Sequence, residues 1–347
     1  MMIIGCDFHT RMQQISMVDT ETGEVTERQL DYEDDEARSF YAGLKEPALV
    51  GIESTSYTRW FAEMLAELGH ELAVGDAAKI RARETRKQKH DRRDAELIRN
   101  LLVKGDFPRI WLPSAEERDV RVLVEHRHQL VQLRTRAMNG LQAVALSYGL
   151  RLRHRLWTKS GQEKLQKLPL REGPGRRRAD LLKLVAQINT WVKELDQRLA
   201  EEVGRRSDAQ LLRTHPGVGD LTALTTVLVL GPVQRFPDAR HVTSYAGVIP
   251  AEESSGRRQR FGHLTKQGNR LLRFLLVEAG QIACRFDPSL QRLYRRLVFR
   301  KGTAIAKVAV ARKLLIRLYI MLRDKIDYQE FCRRGSHAGM LGDVALA

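Results

Sequence analysis

Four carboxylates in the first third of the sequence are placed where they could bind a divalent metal. Asp7 follows the apolar run at residues 2–6, and Glu53 follows the short apolar segment ALVGI. Asp91 and Asp94 are three residues apart, so they share one face of a helix. Carboxylate oxygens are the ligands that Mg²⁺ prefers, and two such ions about 4 Å apart can hold the attacking and leaving oxygens of a phosphoryl transfer. The predicted chemistry is a metal-dependent reaction at a phosphate.

Each carboxylate alone also has a plain structural interpretation. An aspartate at a strand end is usually a turn or cap residue, and Asp91 and Asp94 could pair with neighbouring arginines. Glu53 is more unusual, because an acid directly after a buried strand costs free energy unless it is liganded or paired. As an ordered set, a strand aspartate, a strand glutamate and a helical DxxD pair are typical of an RNase H-like nuclease or recombinase core.

A second candidate centre is the pair Ser254 and Ser255, which precedes a basic, glycine-containing loop. Residues 254–277 contain no acid. A serine hydroxyl is a poor nucleophile unless its proton is removed and the developing charge is stabilised. The loop could stabilise a pentavalent phosphate, or its serine could simply hydrogen-bond to one. The residues expected to contact nucleic acid here are Arg257, Arg258, Arg260, Lys266, Asn269, Arg270 and Arg273.

Basic residues elsewhere are also candidates for phosphate contact. Residues 151–179 hold ten bases and two acids, and their Pro, Gly and Arg runs predict a loop or mobile arm, with a merely solvated linker as the alternative. Gly217 and Gly219, in HPGVG, resemble a helix-hairpin-helix turn that brings backbone N–H groups to a phosphate, or form a plain helix connection. The remaining candidates are Lys87, Lys89, Arg92, Arg93, Arg153, Arg155, Arg176, Arg177 and Arg178.

The predicted strands and helices fall into three regions of the chain. Residues 1–114 predict a mixed α/β domain, with strands at 2–6, 13–19, 24–31, 48–52 and 71–76 and helices at 57–69 and 77–104. Residues 115–205 predict long helices; a heptad-like seam at 181–199 fits either an intermolecular coiled coil or two helices packed within one chain. Residues 206–347 predict a mainly helical domain, with helices at 269–284 and 303–325 after the HPGVG turn.

Charge and composition indicate the class of partner. The 347 residues carry a net charge of +16, but residues 1–76 hold 16 acids and 5 bases. The strongly basic remainder predicts a polyanionic partner, with nucleic acid as the leading candidate. The longest apolar stretch, 221–231, is too short to span a bilayer, so no membrane partner is expected. The three cysteines are far apart, and the N-terminus does not resemble a signal peptide, so we expect a reducing cytoplasm and no zinc site.

The motifs together resemble one family. GCDFHT, GIEST, KHDRRDAELI, HPGVG, YAGVIP followed by SSG, and GHLTKQGNRLLRFLL are similar in type and order to the DEDD transposases of bacterial insertion sequences. This group includes the Piv/MooV site-specific DNA invertases. The resemblance covers nearly the whole chain, and the ordered set is far more specific than any one motif.

The resemblance implies a RuvC-like, RNase H-like N-terminal domain whose Asp7, Glu53, Asp91 and Asp94 bind Mg²⁺ or Mn²⁺. It implies a C-terminal transposase domain in which the P-x4-S-G pattern from Pro250 selects Ser255, with Ser254 as the alternative, to form a covalent bond to DNA. It also implies donor and target DNA as partners, a non-coding bridge RNA as guide, and a homo-oligomer with a composite site. A structure-selective nuclease using water, or a non-catalytic regulator, are the alternatives.

Overall fold

The computed structural model of the protein describes residues 1–84, 91–152, 155–252 and 261–334. The chain forms two compact units, Met1–Leu112 and Pro113–Ala347. Ser254 and Ser255 lie outside the described residues, as do Lys87, Lys89, Arg153, Arg257, Arg258 and Arg260.

The first unit is built on a five-stranded mixed sheet, as predicted. The strands are β1 (Met2–Phe8), β2 (Met12–Asp19), β3 (Val25–Asp31), β4 (Ala48–Glu53) and β5 (Glu71–Gly75). Their order is β3-β2-β1-β4-β5. The first three form an antiparallel meander, whereas β1, β4 and β5 run parallel. The carboxyl ends of the three parallel strands therefore meet at one edge.

Helices cover both faces of this sheet. The helices are α1 (Glu36–Ala42), α2 (Arg59–Glu67), α3 (Ala77–Arg81) and α4 (Asp91–Val103). Side chains alternate along β1, so Ile4 and Phe8 join the core with α1 and α2, whereas Ile3 joins the core with α3 and α4. Gly5 also faces α4, and a Cβ at this position would overlap backbone atoms of the helix. Glycine here lets α4 lie directly on the central strand.

The prediction of one helix over residues 77–104 is wrong. Helix α3 ends at Arg81, residues 82–84 are not helical, and α4 begins at Asp91. No large apolar residue occurs between Ile80 and Leu97, and most of the residues between them are charged. A continuous helix would therefore have no apolar stripe to pack on the sheet, and tertiary packing supplies most helical stability.

The second unit begins with two long antiparallel helices, α5 (Ala115–Ser147) and α7 (Glu172–Arg205). They pack on each other within the chain: Leu130 of α5 lies in one buried cluster with Ile188, Val192 and Leu195 of α7. Of the two interpretations of the heptad seam, the structure shows the intramolecular one.

The prediction of a loop or mobile arm at 151–179 is wrong for most of its length. Residues 159–167 form α6, and α7 already begins at residue 172. The reason is apolar anchoring: Leu156 and Leu165 are fully buried against Leu141 of α5. Arg178 donates hydrogen bonds to the carbonyl oxygens of Leu165 and Leu168, at 2.9 and 2.8 Å, and so satisfies the end of α6.

The remainder of the second unit is mainly helical, as predicted. Its elements are α8 (Ser207–Arg213), α9 (Asp220–Leu230), a short 3₁₀ turn (Val233–Arg235), α10 (Ala239–Tyr245), β6 (Pro250–Glu252), β7 (Phe261–Leu264), α11 (Arg270–Phe286), α12 (Pro288–Lys301), α13 (Thr303–Asp324) and α14 (Tyr328–Arg334). Helix α13 is largely buried from Val310 to Leu322, and this part forms the centre of the core. Helix α12 was not predicted. Among the described residues, no helix is long and apolar enough to cross a membrane.

Candidate metal and nucleic-acid site

Two of the predicted carboxylates are brought side by side by strand register. Strands β1 and β4 are parallel, with Cys6 opposite Ile52, so Asp7 and Glu53 lie at the same sheet edge. Because side chains alternate along a strand, the side of the sheet on which Asp7 and Glu53 lie is also set. Gly5 and Gly51 both face α4, so the next residues on that face are Asp7 and Glu53.

The other two predicted carboxylates enter from α4. Asp91 and Asp94 lie in its first turn. One turn further along, the backbone of Ala95 and Arg99 lies against Gly5. The helix therefore begins beside the end of β1, where Asp7 lies.

Asp7, Glu53 and Asp94 line one cavity of about 310 Å³. Its polar lining comprises Asp7, Glu53, Arg81, Glu84 and Asp94. Arg81 donates a hydrogen bond to Glu53 Oε1 at 3.3 Å, so the glutamate is paired with a cation in this structure. The structure thus gathers three of the four predicted carboxylates around one space.

His9, which was not among the predicted site residues, lies between Asp7 and Asp91. His9 Nε2 lies 3.2 Å from Asp7 Oδ2 and 3.6 Å from Asp91 Oδ2. One ligand atom from each of the three lies within 4.8 Å of the others. The signal in the sequence was the histidine two residues after Asp7, which places both side chains on the same side of the strand end.

The donor set fits a divalent metal. Carboxylate oxygens from β1, β4 and α4 are hard ligands suited to Mg²⁺ or Mn²⁺, and the imidazole of His9 is a ligand that Mn²⁺ tolerates. Cys6 contributes no thiolate: burial, and secondarily the charge of Asp7, raise its pKa well above the ordinary value, and its Sγ donates a hydrogen bond to Gln13. The edge of the sheet can hold a cation and orient a phosphate beside it.

The predicted nucleic-acid contacts outside the C-terminal loop fall into two groups. Arg92 and Arg93 are exposed in the first turn of α4, beside the metal-site candidates, and Arg155 and Arg177 are exposed in the second unit. Arg178, in contrast, binds the backbone at the end of α6. Arg176 forms an ion pair with Asp180 at 2.8 Å, but it remains on the surface.

The described residues that flank the serine loop also divide by role. Asn269 caps α11 by accepting a hydrogen bond from the Leu272 amide at 2.8 Å. Arg273 donates to the carbonyl oxygens of Ala246 and Gly268, at 3.2 and 3.1 Å, and so fixes the loop before α11. Lys266 and Arg270 are exposed. Two of these four predicted contacts therefore hold the protein's own backbone.

The HPGVG segment connects α8 and α9 as a tight turn. Gly217 has φ +87°, and a Cβ there would lie 2.6 Å from the Ala279 carbonyl oxygen of α11. This glycine serves close packing within the protein. Gly219 precedes α9 with open space around it, so of the two predicted glycines it is the one whose backbone a phosphate could approach.

Two sequence models of known protein families match parts of this chain. A sequence model described as a DEDD transposase of the IS110 type matches residues 4–149, and one for the IS116/IS110/IS902 transposase family matches residues 209–295. Together they span about two thirds of the chain. A "probable family 20 transposase" of Pseudomonas aeruginosa is 25% identical over 94% of this chain and 98% of its own length.

Two further relatives are named for their mobile elements. The transposase for insertion sequence IS1111A of Coxiella burnetii is 26% identical over 70% of this chain and 68% of its own. The transposase for IS1328 of Yersinia enterocolitica is 25% identical over 68% and 71%. The chain belongs to the IS110 family of DEDD transposases, and it is therefore an enzyme of the transposase class.

Proposed function

We propose that this protein excises and inserts a mobile insertion sequence by DNA strand exchange, and that Asp7, Glu53, Asp91 and Asp94 form its Mg²⁺ or Mn²⁺ site. The observation that carries the proposal is their convergence from two parallel strands and one helix at a single sheet edge. A bound divalent ion would supply charge stabilisation at the scissile phosphate. The four carboxylates hold that ion, and Arg92 and Arg93 hold the DNA backbone beside it.

We further propose that the first unit is an RNase H-like, RuvC-like domain. The strand order β3-β2-β1-β4-β5, with an antiparallel meander followed by two parallel strands, supports this assignment. Residues 1–114 would then be the catalytic domain, 115–205 the helical middle region, and 206–347 the transposase domain.

Ser255 is the proposed nucleophile, with Ser254 as the less favoured alternative. In the covalent step the serine Oγ loses its proton and attacks phosphorus, the bond to the leaving DNA oxygen breaks, and that oxygen takes up a proton. Rejoining reverses these changes with a different DNA hydroxyl, so no external energy source is required. The acid-free basic loop after Ser255 supports this role by favouring the charge that develops on phosphate.

The partners in this proposal are donor and target DNA and a non-coding bridge RNA, bound by a homo-oligomer in the bacterial cytoplasm at the nucleoid. The basic remainder of the chain, after residue 76, supports polyanion binding. Sequencing the nucleic acid that co-purifies with the protein tests the guide: one structured RNA from the element's own ends is expected, and only random cellular RNA would contradict it.

Covalent trapping tests the serine. Suicide DNA substrates made from the element ends, incubated with Mg²⁺, should give a protein–DNA adduct on denaturing gels. Ser255→Ala should abolish the adduct, and the matched control Ser254→Ala should retain it. Mg²⁺-dependent cleavage without any adduct would show instead that water is the nucleophile. Normal recombination by Ser255→Ala would remove the serine from the mechanism.

A further inference from the structure

A groove of about 590 Å³ lies in the second unit, between the β6–β7 hairpin and helices α12 and α13. Its walls are mostly apolar, and its polar side chains are basic or neutral. The apolar walls come from Val248, Pro250, Leu264, Leu297, Ile305 and Val308. His263, Lys301 and Arg312 also line it. The volume falls within the range of about 300–1,000 Å³ typical of small-ligand sites.

Helix α12, which lines one side of this groove, also carries a basic surface outside it. Between Pro288 and Lys301 it carries five bases and no acid. All five bases are exposed, and none forms an ion pair with any acid that the structure describes; they are Arg292, Arg295, Arg296, Arg300 and Lys301. A solvated helix usually balances its charges with neighbouring acids. This one presents a row of cations instead.

An aromatic side chain lies among these cations. Phe299 is 92% exposed. It follows Arg292 and Arg296 at helical spacing, so the three share one face, on the opposite side of the helix from Leu297. An exposed aromatic ring between cations is the arrangement that binds unpaired nucleotides, because the ring stacks on a base and the cations hold phosphates.

We propose that the groove receives one unpaired base of the DNA strand beside the scissile phosphate. Lys301, at the edge of the groove, holds the phosphate of that nucleotide, and the other exposed bases of α12 hold phosphates further along the strand. An apolar slot with a cationic rim complements a nucleotide, whose base has apolar faces and whose phosphate is anionic. The choice of DNA rests on the proposed function. Pro250 lines the groove five residues before Ser255, and Gly262 lines it seven residues after.

Binding measurements on the full-length protein test this inference without any cleavage step. The probes are a short mixed-sequence DNA oligonucleotide, the same strand with abasic sites, and RNA of the same sequence. Wild-type protein should bind the intact DNA about tenfold more tightly than the abasic strand, as expected for one or two stacked bases. A 2-aminopurine base in the intact strand should change its fluorescence on binding.

Variants then assign this preference to the groove. Ala304 lines the groove and is exposed, so Ala304→Trp fills the groove and should remove the preference for intact DNA. Ala200→Trp, at an exposed position of α7, is the matched control and should keep the preference. Ile305→Gln, at a side chain 54% exposed, changes the wall without adding volume and should also reduce it.

A charge variant distinguishes phosphate binding by Lys301 from base binding in the groove. Lys301→Gln should weaken binding of intact and abasic strands alike, whereas Lys193→Gln on the exposed face of α7 should change neither. The inference is overturned if Ala304→Trp, correctly folded by circular dichroism, keeps the wild-type preference. It is equally overturned if only RNA shows the groove dependence. Ser255→Ala should bind as wild type does, so a failure of the serine mechanism would be seen separately.

Discussion

His9 is the residue that joins the two halves of the candidate metal site. It contacts Asp7 at 3.2 Å and Asp91 at 3.6 Å, and these aspartates come from different elements. Its imidazole either ligates the ion or holds one carboxylate in place by a hydrogen bond. In both cases removal of the ring leaves the metal ligands without a defined orientation.

We therefore expect His9→Ala to weaken Mn²⁺ binding by at least about tenfold, the effect typical of a residue that orients metal ligands. Titration of the full-length protein followed by electron paramagnetic resonance measures this directly. His126→Ala, at an exposed position of α5, is the control and should leave the affinity unchanged. Equal affinities for His9→Ala and wild type would contradict the assignment.

His215 has a structural role at the start of the HPGVG turn. It is 1% exposed, its Nδ1 lies 2.9 Å from the Pro216 carbonyl oxygen, and its ring packs on Tyr328 at 4.5 Å. Its Nε2 has no hydrogen-bond partner among the described residues. Burial, together with the charge of Arg317, lowers the pKa of His215 from 6.5 to about 4. The ring is therefore neutral in the folded protein at neutral pH.

This pKa predicts an acid-sensitive contribution to stability. Below pH 6.5, His215 binds a proton in the unfolded chain but remains neutral in the folded protein. The free energy of unfolding therefore falls as pH decreases from 6.5 to about 4. The loss should reach about 3 kcal/mol. His215→Phe keeps the ring contact and should show a correspondingly smaller loss in denaturant titrations at pH 7 and pH 4. Parallel pH dependence in the two proteins would refute the buried neutral state.

At the scale of elements, the contact between β1 and α4 sets the geometry of the metal site. A Cβ on Gly5 would overlap the Ala95 carbonyl oxygen and the Arg99 amide nitrogen, both of which are backbone atoms that cannot rotate away. Arg99 strengthens the contact, since its Nη1 donates to Ser16 Oγ of β2 at 2.6 Å. The helix can carry Asp91 towards Asp7 only while this close approach is kept.

Gly5→Ala should therefore displace α4, lower the free energy of unfolding by about 1–3 kcal/mol and weaken Mn²⁺ binding together with it. Gly204 lies on the exposed side of α7 with open space at its Cβ position. Gly204→Ala should keep stability or raise it by up to about 1 kcal/mol, and should leave metal binding unchanged. A Gly5→Ala protein with wild-type stability and wild-type Mn²⁺ affinity would show that the close packing is unnecessary.

The strands and helices also show how much of the fold can be predicted from the sequence. The five strands were predictable because short apolar or loosely alternating runs are signals local to the sequence, and α11 and α13 because their apolar periodicity is long. The gap after Arg81 and the helix α6 were not, because both depend on which apolar residues find a partner in the folded unit. Leu156 and Leu165 look like isolated leucines in a basic run until Leu141 is brought against them.

For the site, the sequence identifies Asp7, Glu53, Asp91 and Asp94 as an ordered set, but only strand register and the position of α4 show that they meet. His9 was missed because its only signal, the two-residue spacing from Asp7, becomes informative only once α4 brings Asp91 beside it. Arg178, Asn269 and Arg273 were selected by charge or loop position alone, and their backbone contacts could be seen only in the folded structure.

At the scale of the whole molecule, the uneven charge now has a structural counterpart. The acidic first 76 residues include two proposed metal ligands, whereas acids such as Asp34 are exposed. The basic remainder includes the exposed arginines of α4 and the cationic face of α12, which the net charge alone could not locate. Many other bases, such as Arg127 paired with Asp196 at 2.8 Å, stabilise the fold and are matched by acids.

Strand exchange by an Asp7 variant is the decisive test of the proposed metal site. Wild-type protein and Asp7→Asn are compared on a plasmid carrying the element ends, in Mg²⁺, with DNA binding measured in parallel. Asp34→Asn, which removes the same charge from an exposed position, is the control. We expect Asp7→Asn to lose recombination by roughly a hundredfold or more while binding DNA nearly as tightly, and Asp34→Asn to recombine normally. Normal strand exchange by Asp7→Asn would contradict the metal site and the mechanism built on it.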